Sequence, residues 1–141
     1  MVQNFERSQN FQSDPESILA LINNFEAYKS FLPGCLESKK LSEDSKKNIR
    51  GLLVFGFINQ TYEFESANQT DGYHVKIEQV TGPFSKFSAT WTLQSLESEE
   101  TNVLFQASFQ LPFFLQIFAR QGVVDSMGER FLNAFAEQLR K

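Results

Sequence analysis

Leu111-Pro112-Phe113-Phe114-Leu115-Gln116-Ile117-Phe118 opens the last stretch of the chain, which continues through Val123, Val124, Met127, Phe131, Phe135 and Leu139 to Lys141. From Val124 on, the large apolar residues recur three or four positions apart, the period of one helix face. Glu129, Arg130, Glu137 and Arg140 fall on other faces and keep them wet. The pattern predicts one long helix, beginning after Pro112, with a bulky Phe-rich stripe. That stripe must be covered, and the only partner surface in the chain is the β-rich segment before it. The apolar residues at Leu115 to Phe118 are too many for one stripe, which predicts a gap between sheet and helix at the helix's N-terminal half.

Ahead of that stretch the chain alternates. Phe5 to Phe11 reads as a strand, with Phe5, Arg7, Gln9 and Phe11 on one face. Ser13-Asp14-Pro15-Glu16 carries a capping-box pattern, Ser13 as N-cap and Pro15 in the first turn, so a helix runs to about Asn24. Glu26 to Phe31 is a second short helix, stopped by Pro33 and Gly34. Strands follow at Leu36 to Leu41, Lys47 to Phe57 and Asn59 to Asn68, then at Tyr73 to Val80, Lys86 to Leu96 and Val103 to Leu111. Polar turns lie at Ser42 to Lys46, Gln69 to Gly72 and Glu97 to Asn102, with a tight turn or bulge at Gly56 or Asn59. Short turns make the sheet antiparallel, and one apolar face per strand leaves the other face to solvent. The fold class is α+β in a single domain, 1–141: a curved antiparallel sheet gripping one long C-terminal helix.

Composition sets the functional question. The net charge is −4 and the pI about 5.0, which argues against a broad nucleic-acid face, since phosphate binding needs concentrated Lys and Arg. The single Cys allows no internal disulfide, and no apolar run approaches the roughly 18 residues of a membrane span, so a cytoplasmic protein is expected. The chain holds 16 Phe against one Trp and three Tyr. Phe has no polar tip, so either the core is aromatic throughout or there is a cavity for something flat and greasy. Phe55, Phe57, Tyr62, Phe64, Phe87, Trp91, Phe105 and Phe109 share the concave face by alternation, and Phe118 and Phe131 come from the helix. Those ten are the candidate ligand-binding residues, with Trp91 placed at the floor of the pocket.

Catalytic and metal sites find no support. His74, the one His, sits on a polar strand face, and Cys35 has no other partner for nucleophilic chemistry. No metal or nucleotide motif is present. Arg7 is either a charge beside a cavity, meeting a ligand carbonyl or a carboxylate, or a residue left in water by a twisted edge strand. Gly122 and Gly128 either hinge the helix as a lid or allow close packing.

Four segments, in order and at near-constant spacing, carry a resemblance. Tyr28-Lys29-Ser30-Phe31-Leu32-Pro33-Gly34-Cys35, Val80-Thr81-Gly82-Pro83-Phe84-Ser85-Lys86-Phe87, the strand at Trp91, and Phe131-Leu132-Asn133-Ala134-Phe135 resemble the motifs of the coenzyme-Q-binding START-like family. That family belongs to the wider polyketide cyclase and lipid transport superfamily. The resemblance implies a helix-grip fold and non-catalytic binding of a hydrophobic isoprenoid or lipid, ubiquinone foremost, with no cofactor otherwise. It implies a carrier or chaperone role in respiration; separately, Phe113, Phe114 and Ile117 cannot all face inward on a helix, so Leu111 to Phe118 is expected to make transient contact with the inner membrane. The resemblance also implies two alternatives: ribosome association, as in the family's toxin-named members, or cyclase and aromatase chemistry. The chain departs from the family pattern at Thr81, where the family has Asp, and at Phe55 to Gln60, an uncharged hairpin where relatives are often basic. No DNA partner is implied.

Overall fold

The computed structural model describes residues 2–45, 48–57, 59–118 and 120–141. Seven strands form one antiparallel sheet: β1 (Val2–Phe11), β2 (Cys35–Glu43), β3 (Asn48–Phe57), β4 (Gln60–Asp71), β5 (His74–Thr81), β6 (Lys86–Glu97) and β7 (Glu100–Gln110). Their spatial order is β1-β7-β6-β5-β4-β3-β2, so the chain's first strand closes beside its last, with Val2 opposite Gln110 and Phe11 opposite Thr101. Between β1 and β2 lie α1 (Pro15–Ile22) and α2 (Phe25–Phe31), and after β7 come a 3-10 segment (Phe113–Phe118) and α3 (Gln121–Leu139). This is the helix-grip architecture that the alternation and the C-terminal stripe predict.

Several boundaries move for identifiable reasons. The N-cap of α1 is Asp14 rather than Ser13: its carboxylate accepts from the Ser17 amide at 3.0 Å and the Ser17 hydroxyl at 2.7 Å. Pro15 drives the residue before it into the extended region, which is the conformation an N-cap needs, so the cap must be Asp14. Hydrogen bonding to Ser17 also holds the Asp14 carboxyl below its ordinary value. The β4 strand runs on to Asp71, paired with His74, which leaves Gly72 (φ 58°) and Tyr73 to turn the chain. Likewise β7 starts at Glu100, because β1 offers Asn10 and Phe11 as ladder partners to Asn102 and Thr101. Asn59 makes the β3–β4 turn with φ 60°. Lys46, Lys47 and Ile58 of the expected turns and strand lie outside the described residues.

The expected single C-terminal helix is two elements. Leu115 N–H bonds Pro112 O at 2.9 Å to start the 3-10 segment, and Arg120 is extended before α3 begins. An apolar run as dense as Leu111 to Phe118 cannot bury every side chain from one α-helix face, and the break leaves Phe113 and Phe114 at 88% and 67% exposure. The stripe of α3 holds at Val124, Phe131, Phe135 and Leu139 and departs from the expected one at Val123 and Met127. Val124, Leu132, Phe135 and Ala136 are buried, whereas Val123 and Met127 are exposed. At Gly128 a Cβ would lie 2.4 Å from the Phe5 ring, so the helix rests its backbone on β1 at a position without a side chain. Of the two readings of Gly128, close packing holds; Gly122 faces open space.

Candidate functional site: the open half of the concave face

The rings predicted to bind a ligand divide into two groups. Trp91, Phe105 and Phe131 belong to the inner group. Trp91 is 1% exposed and is surrounded by Phe105 at 4.8 Å, Phe135 at 5.0 Å and Phe131 at 5.8 Å between ring centroids. Tyr28 and Phe31 of α2 close over Phe135 edge-on, at 5.6 and 5.1 Å. The Tyr28 hydroxyl is buried, donates to Ile22 O, and has its pKa raised by that burial. Here helix and sheet meet ring to ring, and Trp91 is a core side chain walled by protein.

Phe55, Phe64, Phe87 and Phe109 form the outer group. Its rings lie 5.1 Å (Phe64–Phe87), 6.3 Å (Phe55–Phe64) and 6.4 Å (Phe87–Phe109) apart. Phe64 is buried, but Phe55, Phe87 and Phe109 are only half-buried, as are Tyr62 and Phe57 on the adjoining ends of β4 and β3. The helix that seals the inner group lies along β1 and does not cover this half to the same degree. Between the two groups the floor is low: Ala89 pairs with Ala107, and Ile77 with Ala89. Phe118 closes the 3-10 segment, and its side chain lies outside the described residues.

Phe84 is a member of the outer group that strand alternation does not find. It stands in the β5–β6 connection, with its ring 5.0 Å from Phe87, 5.5 Å from Phe109 and 5.9 Å from Phe64. The Gln79 side chain holds it there. Nε2 donates to Phe84 O at 2.9 Å, and Phe84 N–H donates to Oε1 at 3.2 Å. The amide thus imitates a strand partner and folds the loop down onto the rings. Gly82 is required for this, since a Cβ there would lie 2.3 Å from Gln79 Oε1. The Gly-Pro-Phe segment was the available signal.

Arg7 faces inward and finds a carboxylate: its guanidinium pairs with Glu129 of α3 and lies 5.6 Å from the Phe5 ring centre. Its Nε is buried with no partner. On β4, buried Ser66 and Asn68 form a polar row with Asn23 and Thr70, linked at 3.1 to 3.4 Å, that seats the α1–α2 junction. Cys35 is buried, and burial pushes its thiol up, with Glu37 adding to the shift, so it stays protonated. His74 is exposed, 3.2 Å from Thr92 Oγ1. Among the described residues no group of three His, Cys, Asp or Glu side chains is placed to hold a metal ion. A groove of about 380 Å³ lies elsewhere, between α2 and the end of α3; Ser30, Phe31, Arg130, Glu137 and Lys141 line it, and its mixed charges suit none of the apolar chemistry above. No helix among the described residues is long and apolar enough to cross a membrane.

Residues 12–136 match the family model described as polyketide cyclase / dehydrase and lipid transport. The ribosome association toxin RatA of Escherichia coli K12 is 26% identical over 121 residues, 85% of this chain and 76% of that protein. A START superfamily protein from Mycobacterium smegmatis superposes with TM-score 0.82 at 14% identity, covering 97% of each chain. The Zhui aromatase/cyclase from Streptomyces sp. R1128 superposes with TM-score 0.77 at 14% identity, covering 99% of this chain and 94% of that one. With the sheet order, the gripped helix and a family match spanning most of its length, the chain belongs to the polyketide cyclase / dehydrase and lipid transport family.

Proposed function

We propose that the protein is a non-catalytic carrier of a hydrophobic lipid, with ubiquinone or a similar isoprenoid as the ligand, acting in the cytoplasm in support of respiration. One observation carries this. Phe55, Phe84, Phe87 and Phe109 line half of the concave face and are only partly buried, whereas Trp91, Phe105 and Phe135 in the other half are buried. Flat aromatic walls with small side chains between them suit a quinone ring or an isoprenoid tail through stacking and apolar contact. Catalysis finds little here. Gln79, the polar side chain held against Phe84, is already committed to the Phe84 backbone. A water-insoluble ligand must be drawn from a membrane, so transient membrane contact belongs to the same proposal.

A second reading takes the ribosome as partner, and the likeness to the toxin RatA favours it. Against it stands the uncharged β3–β4 hairpin, where contact with ribosomal phosphate would call for Lys or Arg.

Equilibrium dialysis against a short-chain ubiquinone analogue tests the carrier. Saturable uptake is expected in the micromolar range, about −8 kcal/mol. Phe87→Leu with Phe109→Leu should weaken it about tenfold, roughly 1.4 kcal/mol. Trp91→Phe should leave it unchanged, because that ring is enclosed by protein. Unsaturable uptake, or equal damage from Trp91→Phe, would remove the outer rings as the site.

A further inference from the structure

The two ends of the sheet differ in charge and in polarity. At one end lie the β2–β3, β4–β5 and β6–β7 turns, which carry Glu43 and Asp44 together with Lys46 and Lys47, Asp71, and Glu97, Glu99 and Glu100 respectively, six acids to two cations. The other end holds the start of β1, the entry to β2, the β3–β4 and β5–β6 connections and the segment from β7 into α3. Residues 1–4, 33–36, 55–62, 80–86 and 109–123 contain no acid at all. They contain two cations, Lys86 and Arg120, both exposed. The nearest acids on the strands, Glu37 and Glu63, flank Val54, three positions in from Phe57 and so about 10 Å below the rim. Asp125, one turn into α3, accepts from the Gln121 side chain at 2.7 Å.

Exposed apolar residues gather at the same acid-free end. Ten large apolar side chains are exposed among the described residues, and Val2, Leu36, Val80, Phe113, Phe114 and Val123 are six of them. Phe113 and Phe114 project furthest into solvent and follow directly from Phe109, a wall of the ligand site. A chain of net charge −4 has therefore cleared one end of carboxylates, left two cations there and surrounded them with unburied apolar groups.

We infer that this acid-free end docks on an anionic lipid bilayer, with Phe113 and Phe114 entering the headgroup boundary and Lys86 and Arg120 resting beside anionic headgroups. Apolar area and cations together set affinity for such a surface, and the acidic far end orients the molecule by repulsion from it. Nucleic acid is the poorer match, since two cations among six apolar groups neutralise too few phosphates. A second copy of the chain is also poorer, because it would set these cations against each other with no acid in the rim to pair them. The inference rests on the carrier proposal and gives it a direction: the mouth of the ligand site faces the membrane that supplies the ligand.

The test is flotation of the purified protein with phosphatidylcholine vesicles, with and without phosphatidylglycerol. The parent should float with the anionic vesicles and much less with the neutral ones. Phe113→Ser with Phe114→Ser alters side chains that pack on little and should cut flotation about tenfold. Lys86→Glu with Arg120→Glu should abolish the preference for anionic vesicles. Leu96→Ser, a change to an exposed apolar residue at the acidic end, should have no effect. A parent that fails to float, or a Phe113, Phe114 variant that floats as well as the parent, overturns the inference. A parent dimer that the same variant turns into monomer, with flotation unchanged, overturns it in favour of self-association. Dialysis uptake of the ubiquinone analogue separates the two claims: saturable uptake without flotation removes the docking and spares the carrier, and flotation without uptake does the reverse.

Discussion

Gly128 and Gly122 belong to the same helix and should respond in opposite ways to the same substitution. At Gly128 the Phe5 ring occupies the place of a Cβ, and that ring is itself buried, 6.2 Å from Phe105, so it cannot step aside. Gly128→Ala should cost about 1–3 kcal/mol through overpacking, outweighing the helix-propensity gain of about 0.5–1 kcal/mol. Gly122 meets open space, and Gly122→Ala should be neutral or stabilising. Urea denaturation of the two variants checks this, and stabilisation by both would mean that α3 does not rest on β1. Gly128 also marks a limit of sequence periodicity. Hydropathy selected Met127 for the stripe because Met is apolar and Gly is silent, yet a residue without a side chain is what lets two backbones approach. The cap at Asp14 was missed by one position for a comparable reason: a capping-box spacing fits Ser13, but the proline constraint acts on the residue directly before Pro15.

At the scale of elements, strand alternation was highly legible. Every strand expected between Phe5 and Leu111 is present, and Phe55, Phe64, Phe87, Trp91, Phe105 and Phe109 lie on the face that alternation assigned to them. What alternation cannot see is a ring contributed by a turn, or which part of a face a helix will cover. Phe84 is the first case, and the sealed state of Trp91 is the second. The break before α3 was equally hidden, because an apolar run reads alike as 3-10 or α until the number of inward-facing positions is counted. The Gln79 clamp leads to a prediction for the β5–β6 connection. Gln79→Ala removes both bonds to the Phe84 backbone, so the Phe84 amide should exchange with deuterium markedly faster while amides of β7 keep their protection. Uptake of the ubiquinone analogue should fall as the Phe84 wall loosens. Unchanged exchange at Phe84 would show that the ring packing alone holds the loop.

For the whole molecule, the fold divides its labour between two halves of one concave sheet. The α1–α2 hairpin and the C-terminal half of α3 pack over a core of Trp91, Phe105 and Phe135, with Phe131 at its edge. The outer half keeps its rings half-exposed beneath an acid-free rim. Phe55, Phe87 and Phe109 stop short of full burial there, and Phe113 and Phe114, a few residues on from Phe109, stand in water. A lipid held on the outer rings, as proposed, would give those side chains a partner. The most direct measurement is native mass spectrometry of the protein purified from its own host, followed by solvent extraction and identification of what it releases. A stoichiometric lipid adduct with an isoprenoid tail is expected, lost from the Phe87→Leu, Phe109→Leu variant. A parent that flies at its bare chain mass, with an extract free of lipid, would contradict the carrier proposal.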